Sequence, residues 1–404
     1  MKAFLLCVMV LFGAACSFFY DVSEECIVED ENLNCICHNR ESFTLSASLL
    51  FDIRHITVKG CGTVDVPFGA LNYLQLKTFQ VLDVEILVIN PFAFMEVKAI
   101  NFFRISDVTK FSLKEHGFIG LLNVNELIFN NITAPELSPY SLGFVSNIQH
   151  FLIENSRFAH LGDFSFVLTN VSTFKIINTK FQELRNNTFK IINSEEVVFE
   201  NCYFKNTNQM SFSLSDINTI KFQSCEFGIV SNSAVVTNDA ETFIFKNCSI
   251  DRLERGAFEF LEVSEKLIFT YNKIKMENAC AVLPSVISNI SMNLNVEDCC
   301  NSFQCCNCAN FWILSSEYSP VDDVLLQQRN CIDDMSMNDI TSFHTNDTSI
   351  KCIDFELKSV QHKAEFPSKK ASVYKSKGLS LNSSVTNLFT HLLLFFISLR
   401  YFIT

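Results

Sequence analysis

The cysteines are the residues whose number and spacing carry the most chemistry. Two of the 17 cysteines, Cys7 and Cys16, lie close to the amino terminus, and the others fall into three sets. The front set is Cys26, Cys35, Cys37 and Cys61. The back set is Cys280, Cys299, Cys300, Cys305, Cys306, Cys308, Cys331 and Cys352. Both sets are even in number, so we predict up to six disulfides in an oxidising compartment.

The middle set, Cys202, Cys225 and Cys248, is odd in number and is predicted to remain as thiols. These residues recur at the same position of successive sequence repeats, where the chain turns off a strand. A buried cysteine there acts as a small apolar residue with a weak hydrogen-bond donor. The alternative is a metal site of stacked thiolates, but no histidine occupies a neighbouring position. Zinc is also the competing interpretation of Cys306-Asn307-Cys308 with its two later cysteines, and in a secreted chain we favour disulfides. No cofactor is predicted.

Catalytic motifs are absent from the sequence. It contains neither G-x-S-x-G nor H-E-x-x-H, and the eight histidines are not at ligand spacing. Paired acids such as Glu195-Glu196 and Asp322-Asp323 are typical of a solvated surface. We therefore predict that the chain is not an enzyme. The net charge of −13 argues against a nucleic-acid partner, which requires a basic stripe.

The elements that position these residues are repeats of 23 or 24 residues. Each has two apolar residues separated by one, as in Leu127/Phe129 and Phe151/Ile153, which is the alternation of a strand with one buried face. A fixed period of this length indicates a solenoid. We count eleven repeats, which start at residues 53, 76, 100, 124, 148, 171, 194, 217, 240, 264 and 287.

Apolar or small residues recur at positions 1, 4, 6, 9, 11, 14 and 19 of each repeat, and this pattern resembles the extracellular leucine-rich repeat with phenylalanine in place of many leucines. That substitution accounts for 42 Phe and one Trp. The front cysteines resemble the family's amino-terminal cap, and Cys306-Asn307-Cys308 before Trp312 resembles its carboxy-terminal cap. The resemblance implies the pairs Cys306–Cys331 and Cys308–Cys352. It also implies an α/β-type solenoid: a horseshoe with a parallel β-sheet on its concave face and a turn with an irregular or short helical return after each strand.

The domain boundaries follow from composition. Residues 1–17 resemble a secretory signal peptide, 18–52 the first cap, 53–297 the repeats and 298–352 the second cap. A polar linker covers 353–381, and 382–404 fits a lipid-anchor signal with attachment at Asn382 or Ser383. A transmembrane helix is the alternative for this tail. The predicted glycosylation sites are Asn131, Asn170, Asn186, Asn289 and Asn346.

The family resemblance implies a cell-surface protein on the outer face of the plasma membrane that binds an extracellular protein ligand or a co-receptor, as adhesion molecules do. Positions 5 and 7 of the repeats would project from the concave face. The predicted partner-binding residues are Ile128, Leu152, Glu154, Lys175, Ile177, Val198, Glu200, Lys221, Ile244 and Ile268. The alternatives are a homodimer through this face, or only the preference of branched residues for strands.

A second hypothesis is a secreted right-handed parallel β-helix that acts on or binds polysaccharide. Its turns have a similar length, and Asn131, Asn155, Asn178, Asn201 and Asn247 would form a ladder along it. The two cysteine-rich ends argue against this hypothesis. So does the single phenylalanine at position 19, where a β-helix requires another alternating strand.

Overall fold

The structure is a computed structural model that describes residues 26–37, 42–45, 50, 52–254, 256–258, 260–276, 295–299, 302–304 and 330–331. These residues form 23 β-strands and no α-helix. Accordingly, no helix within the described ranges is long and apolar enough to cross a membrane.

The strands stack into a parallel β-solenoid of about ten turns. Twelve strands contribute to a first face of the solenoid. They are β2 (Asn32–Ile36), β4 (His55–Lys59), β6 (Thr78–Ile89), β7 (Phe102–Leu113), β8 (Leu122–Leu137), β9 (Leu142–Glu154), β11 (Phe166–Ile177), β13 (Phe189–Glu200), β15 (Phe212–Gln223), β17 (Val235–Lys246), β19 (Val263–Thr270) and β21 (Asn295–Cys299).

The shorter strands form a second face. They are β3 (Ser42–Thr44), β5 (Thr63–Val66), β10 (Arg157–Leu161), β12 (Lys180–Leu184), β14 (Tyr203–Thr207), β16 (Glu226–Val230), β18 (Ser249–Leu253), β20 (Lys273–Met276), β22 (Ser302–Gln304) and β23 (Asn330–Cys331). The carboxy-terminal parts of β6, β7 and β8 continue this face, as β5 pairs with the end of β6.

A third face is formed by the amino-terminal parts of β9, β11, β13, β15 and β17. In β11, for example, Phe166–Thr169 pairs with β13 on this face, and Thr173–Ile177 pairs with β13 on face 1. The strand changes face between these two parts, at Asn170. In the earlier turns, short turns such as residues 91–96 take the place of the third strand. One turn therefore passes from face 1 to face 2 to face 3.

The three corners of each turn are made by residues with positive φ. Corner A, between faces 3 and 1, has Ala99, Asn123, Asn147, Asn170, Asn193, Asp216 and Asp239 in this conformation. Corner B, between faces 1 and 2, has Gly60, Asp83, Asp107, Asn131, Asn155, Asn178, Asn201, Ser224, Asn247 and Tyr271. Corner C, between faces 2 and 3, has Phe92, His116, Tyr140, Phe164, Asn187, Met210, Ser233 and Gly256. One left-handed residue between extended residues turns the chain sharply, and Gly, Asn and Asp tolerate this best.

Amide ladders reinforce corners A and B. At corner A, Nδ2 of Asn147 donates to Oδ1 of Asn123 at 3.0 Å, and Asn170 and Asn193 extend the series at 3.0 and 2.7 Å. At corner B, Asn178 donates to Asn155 at 3.3 Å. Several successive turns are thus bonded to each other through side chains as well as through the sheets.

The core is filled by columns of stacked phenylalanines, and each column has one ring per turn. Behind face 2, Phe158, Phe181, Phe204 and Phe227 have successive ring centroids 5.3, 5.1 and 4.9 Å apart. The same spacing recurs behind face 1, where Phe199 and Phe222 are 4.8 Å apart. Parallel strands are about 4.8 Å apart, so identical residues on successive turns meet in stacking contact.

The predicted leucine-rich repeat horseshoe is wrong, because the return of each repeat is strand and not a helical or irregular segment. Positions 11 and 14, such as Phe158 and Leu161, are the buried residues of a second strand, β10. Position 19 begins a third strand segment, in which Phe166 and Leu168 of β11 both face the core of the solenoid. The sequence analysis treated position 19 as a single apolar residue, and this argued against a β-helix. In the structure position 19 belongs to an alternating strand, so that argument was wrong. The sheet that was predicted to line the concave face of a horseshoe is face 1 of the solenoid.

The front cysteines form two disulfides, as predicted. Cys26–Cys35 closes the antiparallel hairpin of β1 (Cys26–Glu29) and β2, and Cys37–Cys61 joins neighbouring turns with Cα atoms 4.9 Å apart. Of the back set, Cys299 belongs to strand β21 and Cys331 to strand β23, and the structure describes only their backbone. The remaining back cysteines, Asn289, Asn346, Asn382, Ser383 and the predicted signal peptide, linker and tail lie outside the described residues.

Candidate functional site

The middle cysteines belong to a buried polar ladder just after corner B, at position 9 of successive repeats. Its members are Ser156, Thr179, Cys202, Cys225, Cys248 and Asn272. Ser156 Oγ donates to the carbonyl of Glu154 at 2.7 Å, and Cys225 Sγ makes the equivalent bond to Gln223 at 3.4 Å. The side chains also accept from the preceding turn: Cys225 N donates to Cys248 Sγ at 3.4 Å. Position 9 thus satisfies backbone groups where the strand ends.

The three thiols are free and buried. Burial raises the pKa of Cys202 and of Cys225, and hydrogen bonding to the neighbouring cysteine contributes to the rise at Cys202. Neutral thiols are poor nucleophiles and poor metal ligands. The described ranges contain no group of three or more His, Cys, Asp or Glu residues that could hold a metal ion. The structure therefore presents these cysteines as hydrogen-bonding members of the core.

The predicted partner-binding residues lie together on face 1 and point outward. Ile128, Leu152, Lys175, Val198, Lys221, Ile244 and Ile268 form one column in direct register through seven turns. Glu154, Ile177 and Glu200 form part of the adjacent column. All are half-buried except Val198, which is only 4% exposed. Nζ of Lys175 lies 2.7 Å from Oε2 of Glu196 on the next turn.

The predicted glycosylation sites within the described residues lie at or beside corners. Asn131 and Asn170 are exposed members of the corner B and corner A ladders, where their Nδ2 atoms donate to Asp107 and Asn147. Asn186 is exposed beside Asn187 of corner C. Glycosylation at these positions remains a prediction.

Corner C carries a feature that the sequence analysis missed, a series of aromatic rings on the outside of the solenoid. Phe68, Phe92, His116, Tyr140 and Phe164 lie on five successive turns, and we call them the aromatic ridge. Their successive ring centroids are 5.6, 5.5, 5.8 and 5.1 Å apart. Phe68 at one end is 69% exposed, and the other four are half-buried.

Four residues of the ridge have a backbone conformation that bulky side chains disfavour. Phe92, His116, Tyr140 and Phe164 have φ values of 57°, 58°, 53° and 57°. Bulky residues rarely adopt this conformation, which costs roughly 1–2 kcal/mol for a residue with a Cβ atom. Corners A and B use mainly Asn and Asp, and corner C itself has Asn187 on the turn after Phe164. Aromatic residues are thus present where the fold alone favours other types, and contacts between the rings offset part of the cost.

Polar and charged groups flank the rings. Nζ of Lys190 lies 5.9 Å from the centroid of Phe164, and Nε2 of His116 is 3.5 Å from a carboxylate oxygen of Glu115. The side chain of Glu115 is 57% exposed, and Asp163 beside Phe164 is also exposed. The ridge therefore combines apolar rings with hydrogen-bonding groups over five turns, a length of about 20 Å at the strand spacing.

One sequence regularity could have revealed the ridge: position 17 of five successive repeats is aromatic or lies next to an aromatic residue. Phe92, His116, Tyr140 and Phe164 are each 24 residues apart, and Phe68 precedes them by the same interval. Their neighbours Pro91 and Pro139 mark turns. Because the repeat was interpreted with one strand only, this position had no assigned direction.

Comparison with protein families supports the architecture. A family model described as a right-handed β-helix region matches residues 141–300. This segment includes β11, β13, β15 and β17, in which the first and third faces are continuous. The comparisons with curated proteins and with solved structures give no match. The fold is thus a parallel β-solenoid, and residues 141–300 are similar to the right-handed β-helix region of that family model.

Proposed function

We propose that the protein is an extracellular β-solenoid that binds a polysaccharide along the aromatic ridge. The observation that carries this proposal is the succession of five surface rings, one per turn, at a corner where the backbone favours other residues. Two disulfides support an oxidising, extracellular location. The match of residues 141–300 to the β-helix region supports the polysaccharide hypothesis over the leucine-rich repeat one.

The chemistry of the ridge suits sugars. A pyranose ring has apolar C–H groups on its faces and hydroxyl groups around its edge. The C–H groups can pack against aromatic side chains, and the hydroxyls can bond to carboxylate, amide and ammonium groups. Along the ridge one aromatic ring occurs per turn, and the length of one turn is comparable with that of one sugar in an extended chain. A linear polysaccharide lying along the corner would therefore meet equivalent contacts repeatedly.

The proposed role is binding. The groups that flank the rings, Lys190, Glu115 and Asp163, lie on different turns, and each is suited to hydrogen bonding with a hydroxyl group.

The test is affinity electrophoresis of the secreted chain in gels that contain soluble β-glucan, xylan, polygalacturonate or hyaluronan. The ridge variants are Tyr140→Asn and Phe164→Asn, because asparagine is the residue that the next turn uses at this corner. The matched control is Phe144→Asn, which removes a 58% exposed phenylalanine with a φ of 59° outside the ridge.

We expect at least one polysaccharide to retard the native chain and the control. Each ridge variant should weaken that binding by about tenfold, since a lost ring contact of about 1.4 kcal/mol corresponds to that factor. No retardation by any of the four polymers, or equal retardation of all variants, would overturn the proposal.

A further inference from the structure

A strip of polar and basic side chains runs along face 2 beside corner B, on the side of that face away from the aromatic ridge. Its main row is Thr133, Arg157, Lys180 and Tyr203, which are direct register partners on β8, β10, β12 and β14. Lys205 follows two residues after Tyr203 and also points outward. Tyr203 is half-buried, and the other four residues are exposed. We call these five residues the basic strip.

The cations of the strip have no acidic partner among the described residues. Arg157, Lys180 and Lys205 form no ion pair there, although the whole chain has 44 acidic and 31 basic residues. By contrast, Nζ of Lys175 on face 1 lies 2.7 Å from a carboxylate oxygen of Glu196. The charges of the strip are therefore available to a ligand.

Two of these cations are held next to each other. Arg157 and Lys180 are direct register partners, so their Cα atoms are about 4.8 Å apart. They are the only register pair of two Lys or Arg residues on the described strands. Like charges in direct opposition destabilise a sheet. An anion bound between the two side chains would remove this repulsion.

We infer that the basic strip is a second binding site, which takes a sulfated polysaccharide with one sulfate group between Arg157 and Lys180. A sulfate ester is ionised at physiological pH, and its outer oxygens accept several hydrogen bonds at once. The planar guanidinium of Arg157 can donate two parallel bonds to such a group, and the ammonium of Lys180 adds a second charge. The hydroxyls of Thr133 and Tyr203 can bond to sugar hydroxyls on either side. The inference goes beyond the proposed function and does not rest on the ridge.

The surroundings of the strip favour a hydrated polymer over a membrane or an apolar protein surface. None of the large apolar side chains that are exposed on the described residues lies in the strip. On its corner B side lie the exposed amides of Asn155 and Asn178. The row from Thr133 to Tyr203 runs along the solenoid for about 14 Å at the strand spacing. A linear polysaccharide can follow this row and meet a polar group on each turn.

Two glutamates limit the strip. Glu226 is the register partner that follows Tyr203, so the row ends at a carboxylate that repels an anion. Glu183 lies on β12, but its Oε2 atom is 3.0 Å from Nδ1 of His160 and is thus already bonded within the fold. The register-paired cations are therefore the most favourable position for an anion in the strip.

The test is surface plasmon resonance of the secreted chain on immobilised heparin, a sulfated polysaccharide, over a range of NaCl concentrations. Arg157→Gln and Lys180→Gln each remove one charge of the register pair, whereas Arg157→Lys keeps it. The matched control is Lys246→Gln, which removes an exposed cation on face 1. Hyaluronan, which has carboxylates but no sulfate groups, and neutral β-glucan are the comparison surfaces.

We expect the native chain to bind heparin more tightly than either comparison polymer, and salt to weaken this binding because it screens the charges. Each glutamine variant should weaken the binding about fivefold, since an exposed ion pair contributes up to about 1 kcal/mol. The double variant should weaken it by at least about tenfold, whereas Arg157→Lys, the control and the ridge variant Tyr140→Asn should stay within about twofold of the native chain.

A native chain that does not bind heparin at low salt would overturn the inference. So would a double variant that binds as the native chain does, or a control that loses as much affinity as the strip variants. Equal binding of heparin and hyaluronan would refute the assignment of a sulfate group. Circular dichroism of each variant separates loss of binding from loss of folding.

Discussion

Replacing Cys225 tests whether the middle cysteines serve the core or a chemical site. The Sγ atom of Cys225 is buried and lies 3.3 Å from the carbonyl oxygen of Phe199 and 3.4 Å from that of Gln223. Cys225→Ser keeps a donor in this position, and Ser156 shows that the ladder accepts a hydroxyl group, with a bond of 2.7 Å to Glu154. Cys225→Ala removes the donor and one buried heavy atom.

The expected magnitudes follow from these contacts. The lost hydrogen bonding of the alanine variant costs about 1 kcal/mol, and the lost buried atom costs about another 1 kcal/mol. The total of about 2 kcal/mol corresponds to a decrease of about 4–8 °C in the melting temperature for a domain of this size. The serine variant exchanges a weak donor for a stronger one, so its free energy of unfolding should change by less than about 1 kcal/mol.

The assay is thermal unfolding of the secreted chain followed by circular dichroism, with and without EDTA. We expect the melting temperature to be highest for the native chain, lower for the serine variant and lowest for the alanine variant. EDTA should change none of these melting temperatures. If both variants destabilise equally, the hydrogen-bond ladder is not the reason for cysteine at this position. A decrease in melting temperature with EDTA that Cys225→Ser abolishes would instead support the thiolate metal site.

Two further predictions use the same preparation. The folded state raises the pKa of the Cys202 and Cys225 thiols, so their contribution to stability is complete below the ordinary thiol pKa of about 8.5 and is lost as the pH rises above it. The melting temperature of the native chain should therefore fall above that pH, and it should fall less steeply in a Cys202→Ser, Cys225→Ser variant. Equal slopes of melting temperature against pH in the two proteins would contradict this prediction. The Phe164→Asn variant loses a ring contact of about 0.5–1.5 kcal/mol with Tyr140 but relieves about 1–2 kcal/mol of backbone strain. Its free energy of unfolding in urea should therefore stay within about 1 kcal/mol of the native value. A larger loss of stability would mean that the ridge is primarily structural.

The sequence was sufficient to predict the period, the first strand of each turn and the residues that it buries. Leu127/Phe129 and the equivalent pairs are buried on face 1, and position 9 lies where the chain leaves that strand, as predicted. These features depend on alternation within one short strand, which is a strong local pattern. The front cysteines were also predicted correctly as disulfide partners.

The other two faces were missed because their strands are short and each corner is a single residue. A strand of five residues such as Arg157–Leu161 buries only Phe158 and Leu161, and the intervening polar residues resemble a loop. Corner C has Phe92, His116, Tyr140 and Phe164 where a turn would ordinarily show Gly or Asn. The outward orientation of the ridge side chains is set by contacts between residues 24 apart in the sequence. A local sequence pattern does not show such contacts. The resemblance of the cysteine-rich ends to repeat caps then favoured the wrong solenoid.

The three-sided solenoid underlies the aromatic ridge, and face 2 distinguishes it most directly from a horseshoe with one sheet. Exposed Arg157 and Lys180 are register partners on β10 and β12. A pair of cysteines there would have Cα atoms about 4.8 Å apart, within the range of a disulfide. The measurement is mass-spectrometric mapping of disulfides in the secreted Arg157→Cys, Lys180→Cys variant. The control is Arg157→Cys with Tyr203→Cys, two turns apart. The solenoid predicts a cross-link between positions 157 and 180 and none between 157 and 203. Absence of the first, or equal formation of both, would contradict it.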